Sequence, residues 1–216
     1  LKGEIELPQS KRKVITWVMF TNSEPDLWKK SIPYMNNAIY YYSLWNGDYP
    51  YNHATAIDGA LTAGGGMEYP NITVIGPSGN AKNLETVIVH EVGHNWFYGI
   101  LGSNERRYAW MDEGFATYSE LRVSNWLHKD TLSNPYTRVY ESYFNIVKSK
   151  LEEPLTTHAD HFNTNYAYGT AAYSKGCIFL SQLGYIVGEK CLTIFYWNII
   201  MSGGLNTQTQ MILSGL

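Results

Sequence analysis

The residues best suited to chemistry lie in "ETVIVHEVGHNWFYGI", positions 85–100, where His90 and His94 stand four apart with Glu91 between them. At about 3.6 residues per helical turn, positions 90 and 94 project from one face, so both imidazoles reach a single ion. Glu91, beside that face, is placed to take a proton from water without ligating the metal. A catalytic zinc needs three protein donors and one open position. The third is sought in a carboxylate at the head of the next helix, and "WMDEGFATYSE" offers Glu113, with 18 residues between it and His94, and Asp112 a competitor on spacing.

These side chains have to be carried by something. "KVITWVMF" (13–20) and "NITVIG" (71–76) are rich in β-branched and aromatic residues and read as strands. Between them, "DLWKKSIPYMNNAIYYYSLWNG" has helical spacing, with Pro33 at its start and Gly47 at its end. "HATAIDGALTAGGGMEYP" then reads as an extended segment running into Gly64, Gly65 and Gly66, a place for another backbone to approach closely. From residue 85 the character turns helical. A helix over 85–98 closes at Gly99 and Gly102, a second runs from near Asp112 through "EGFATYSELRVSNWLHK", and a third spans "PYTRVYESYFNIVKSKL" with its Pro just inside the start. Two more occupy "GTAAYSKGCIFLSQLGYIVG" and "EKCLTIFYWNIIM". The expectation is an α+β fold: a single catalytic domain over 1–216, with a β-rich lobe (1–84), a helical lobe (85–216) and a cleft where they meet.

Composition narrows the function. With 44% hydrophobic and only 16% charged residues the chain is globular, and its net charge of −3 supplies no basic field for nucleic acid beyond "SKRK" at 10–13. The longest apolar run, "CLTIFYWNIIM", is about half of a membrane span, so no transmembrane segment is expected. Cys177 and Cys191 are too few for a disulfide framework and read as free, buried residues. No targeting segment is visible, which leaves the compartment open. "HADH" at 158–161 lies in a Thr- and Asn-rich loop and reads as solvated.

Three short motifs in order carry a family resemblance: "GGMEY" at 65–69, HEVGH at 90–94 followed by Glu within "DEGFATY", and "AAYSKG" at 171–176. Together they resemble the gluzincin pattern of the M1 zinc aminopeptidases. The resemblance implies a thermolysin-like zinc peptidase domain, one Zn2+ per chain held by His90, His94 and Glu113, and Glu91 as general base. It implies that Tyr173 steadies the oxyanion, that Gly65, Gly66 and Met67 pair with the substrate as an added strand, and that Glu68 pairs with the free α-ammonium of a peptide. One position departs from the family, whose usual Asn is Tyr69 here, and this bears on the shape of the first pocket. Flanking domains are expected too, β-rich before and helical after. The competing readings are a gluzincin endopeptidase, which differs at Glu68, and a non-catalytic binding or scaffold module on the same fold.

Overall fold

A computed structural model describes residues 1–21, 23–61, 64–129 and 134–201. The chain forms two compact units, Leu1–Asn95 and Trp96–Leu216.

The first unit is built on a five-stranded sheet in the order β1-β2-β3-β5-β4. Its strands are β1 (Lys2–Glu6), β2 (Lys13–Met19), β3 (His53–Asp58), β4 (Gly66–Met67) and β5 (Ile72–Ile75). Strands β2, β3 and β5 run parallel, while β1 and β4 pair antiparallel at the two edges. Parallel neighbours need a crossover. For β2 and β3 it is supplied by α1 (Pro25–Trp28) and α2 (Ile32–Asn46). Pro33 sits in the first turn of α2, where its missing N–H costs nothing, and Gly47 closes the helix at a φ of 94°. The period-2 pattern of β2 buries Val14, Thr16 and Val18 and leaves Lys13, Trp17 and Met19 outward.

Helix α3 (Ala81–Gly93) packs against α2, β4 and β5. Leu84, Ile88 and Val92, spaced at four, are its buried stripe. It begins a turn earlier than the sequence implies because the Asn80 side chain accepts the Asn83 N–H at 2.9 Å as N-cap. It also ends earlier than residue 98. Asn95 donates from Nδ2 to the Val92 carbonyl at 3.0 Å and accepts the Asn71 N–H on Oδ1 at 3.0 Å, which ties the chain to the start of β5. Phe97 (ψ 111°) and Tyr98 (φ 85°) then leave helical space.

The second unit is helical: α4 (Phe115–His128), α5 (Thr137–Ser149), α6 (Asn165–Gly169), α7 (Gly176–Val187) and α8 (Glu189–Met201). Pro135 lies before the α5 N-cap, Tyr136, rather than inside the helix. Two wide π-type turns interrupt the helical run, Trp110–Gly114 leading into α4 and Thr170–Lys175 joining α6 to α7. Phe97, Trp110, Phe115, Phe179 and Tyr196 form an aromatic cluster with ring centroids 5.3–6.4 Å apart. Tyr118 donates to Glu189 Oε2 at 2.8 Å and so fastens α4 to the first turn of α8.

Both cysteines are free, but they are not alike. Burial within α7 pushes the Cys177 thiol pKa up, whereas Cys191 is exposed on α8, contrary to the expectation that both are buried. Among the described residues no single helix is long and apolar enough to cross a membrane. A mixed sheet with helices in one unit and helices in the other makes the chain α+β, as its residue pattern implies.

Candidate metal centre

The last turns of α3 carry the histidine pair. The His90 and His94 rings lie with centroids 4.9 Å apart; His94 is 1% exposed and His90 half-buried. Two contacts fix this end of the helix. The Tyr42 hydroxyl donates to the Val89 carbonyl at 2.9 Å, and a Cβ on Gly93 would lie 3.2–3.3 Å from the Tyr42 ring and hydroxyl. Gly93 is therefore the residue that lets α2 and α3 close at the histidine turn. Its position inside a helical pattern was the available sequence signal; nothing in the sequence pointed to Tyr42.

Glu91 is 6% exposed and packs on the backbone of β4. A Cβ on Gly66 would fall within 2.5 Å of Glu91 Cδ and Oε1, so glycine at 66 leaves the space that the carboxylate occupies. Glu68, one residue past β4, joins the same group: Glu68, Glu91 and His94 carry donor atoms within 4.8 Å of one another. β4 ends the sheet, hydrogen-bonded to β5 on one side, with the Met67 carbonyl accepting from Thr73 Oγ1 at 3.1 Å. Gly64 and Gly65 lead into it at φ 71° and 69°, a region that favours glycine, and the Gly65 carbonyl accepts the Gly76 N–H at 2.8 Å. Replacing Gly66 with Ala is expected to displace the Glu91 carboxylate by about 1 Å, a shift read directly in a crystal structure of the variant.

The second unit brings Glu113 and Tyr173 together. Glu113, 9% exposed, sits on the Trp110–Gly114 turn, and Tyr173 sits half-buried on the Thr170–Lys175 turn. The two turns pack on each other, and the Tyr173 hydroxyl donates to Glu113 Oε1 at 2.6 Å. Asp112 is also buried, but the tyrosine's bond goes to Glu113. Single wide turns inside helices recur at functional positions, because the extra residue turns a side chain off the regular helical path.

The remaining polar candidates stay outside these groups. Ala159–His161 form a short 3-10 turn in which His158 Nδ1 accepts the Asp160 N–H at 3.2 Å and Asp160 pairs with Arg106 at 3.3 Å. His158, Asp160 and His161 belong to none of the clusters of metal donors found among the described residues.

The family model of the peptidase family M1 domain matches residues 34–200, most of the chain. The chain belongs to peptidase family M1. Relatives of this M1 domain include leucine aminopeptidase 2-1 of Meyerozyma guilliermondii, 28% identical over 136 residues, covering 58% of this chain and 22% of the relative. Aminopeptidase B of Homo sapiens is 28% identical over 141 residues, covering 58% and 21%. The M1 domain thus spans about a fifth of the length of these curated relatives. Among solved structures, a two-domain M1 zinc metallopeptidase variant bound to L-arginine superposes with a TM-score of 0.75 at 19% identity, covering 99% of this chain and 47% of the other. The M1 zinc metallopeptidase from Deinococcus radiodurans gives 0.67 at 18% identity, covering 99% and 47%. At these identities the likeness is one of fold.

Proposed function

We propose that the chain is the catalytic portion of a zinc aminopeptidase, which removes the first residue from peptides bearing a free N-terminus. The observation that carries this reading is the grouping of Glu68, Glu91 and His94 beside an edge strand, in a domain of family M1. In this reading the chain is a single thermolysin-like peptidase domain, β-rich over 1–84 and helical over 85–216. The full enzyme adds flanking domains.

His90, His94 and Glu113 would hold one zinc ion. Two adjacent imidazoles and a buried carboxylate are donors that zinc accepts, and the Tyr173 hydroxyl on Glu113 is the kind of outer partner that orients a ligating carboxylate. When bound, the ion supplies Lewis acidity, which makes a water molecule nucleophilic near neutral pH and polarises the scissile carbonyl. Glu91 takes the proton from the attacking water and delivers it to the leaving amine. Tyr173 turns its hydroxyl to the developing oxyanion, a bond made only as charge builds there. Gly65, Gly66 and Met67 offer the edge of β4 to the substrate backbone as a neighbouring strand. Glu68 pairs with the α-ammonium and so brings the first peptide bond to the reacting groups.

The test lies at Glu68. N-terminal acetylation of a peptide is expected to block cleavage, and Glu68→Gln is expected to lower kcat/KM for the free peptide by about 10- to 100-fold, the worth of one charge-assisted bond. Equal cleavage of blocked and free peptides would favour an endopeptidase instead. No observation favours a non-catalytic module, since the chain retains His90, Glu91, His94, Glu113 and Tyr173.

A further inference from the structure

In the second unit, one contact lies beneath the bond between Tyr173 and Glu113. Gly114 directly follows Glu113 and Gly176 stands three residues after Tyr173. A Cβ on Gly114 would lie 2.8 Å from Gly176 Cα, 2.9 Å from its carbonyl carbon and 3.0 Å from the Ala172 carbonyl oxygen. A Cβ on Gly176 would lie 2.9 Å from Gly114 Cα and 3.1 Å from the Trp110 carbonyl oxygen. All of these atoms are backbone, so no side chain can swing aside to make room.

Neither glycine is required by its own conformation. Gly114 has φ −68° and ψ −40°, and Gly176 φ −58° and ψ −47°, helical values open to any residue. In such positions glycine is disfavoured relative to alanine. What both residues supply is the absence of a side chain where the two segments cross.

We propose that Gly114 and Gly176 are a pair of positioning residues, whose backbone contact sets the separation of the two wide turns and thereby the reach of the Tyr173 hydroxyl to the Glu113 carboxylate. A methyl group at either position needs roughly 0.6 Å more room to reach the 3.4 Å of ordinary contact. The hydroxyl bond at 2.6 Å is the first interaction to lengthen, because both of its partners ride on the turns being pushed apart. The catalytic consequence rests on the aminopeptidase reading; the geometric one does not.

The first test is a crystal structure of the Gly176→Ala protein, with Gly114→Ala opening the same contact from the other side should the first variant not fold. The separation of Tyr173 Oη and Glu113 Oε1 is expected to lengthen by roughly the same 0.6 Å, to about 3.2 Å. A separation that stays near 2.6 Å overturns the proposal, whatever the enzyme does. The second test is kinetic. Gly176→Ala is expected to lower kcat about 10- to 100-fold with KM within about twofold of wild type, and to cost less than about twofold further in a Tyr173→Phe background. Gly169→Ala is the control, since a Cβ there meets no atom within 4 Å, and it is expected to leave kcat unchanged. Equal losses from Gly176→Ala with and without the tyrosine hydroxyl would show that the glycine does not act through Tyr173. A wild type that hydrolyses no free-amine anilide would end the aminopeptidase reading and leave the glycine contact to be judged on the crystal structure.

Discussion

Glu91→Gln protein is expected to bind zinc as the wild type does and to hydrolyse amino-acid anilides roughly 100- to 10,000-fold more slowly, the usual contribution of a positioned general base. The substitution is nearly isosteric, which matters because Glu91 is 6% exposed and fills the space over Gly66. Glutamine keeps that packing and leaves His90 and His94 on the same helical face. What it loses, in the proposed mechanism, is the ability to accept a proton from water and pass it to the leaving amine. The loss therefore falls on kcat rather than on KM or metal content, and steady-state kinetics with elemental analysis on one preparation reads all three. Unchanged activity in Glu91→Gln protein with zinc bound would sink the mechanism.

Replacing His94 with Ala is expected to remove both zinc and activity. The wild type is expected to carry about one zinc per chain, to lose activity to a chelator and to regain it when zinc is added back. The His94→Ala protein is expected to recover nothing on the same addition. With two of three donors left, metal affinity should fall by more than the 10- to 100-fold that losing an outer-shell partner costs. His94 is 1% exposed at the C-cap of α3, just where Asn95 anchors the chain to Asn71. A circular dichroism spectrum separates lost metal from a disturbed helix end. The same protein retaining stoichiometric zinc through dialysis would remove His94 from the proposed ligand set.

The sequence by itself determined the features that depend on neighbours a few positions apart. His90 and His94 share a face because the helical period places residues four apart together. Strands β2 and β5 fall within the predicted stretches, and Pro33 opens α2, because β-branched alternation and a fixed proline φ act within one element. The order of GGMEY, HEVGH and AAYSKG was enough to indicate family M1, to which the chain belongs.

Tertiary structure decided what distant residues impose on one another. No breaker stands in the four residues "NWFY" before Gly99, yet α3 stops at Gly93 because Asn95 meets Asn71, 24 positions away. Cys191 is exposed because its place on α8 faces away from the core, which apolar composition alone does not reveal. Among 18 tyrosines, periodicity gives no reason to choose Tyr173, and the family motif was needed to single it out. Its hydroxyl meets Glu113 across 60 positions only where two wide turns stack and two glycines touch. In each case the deciding term is the exclusion of atoms from space already filled by a remote segment, and that is set by packing rather than by local pattern.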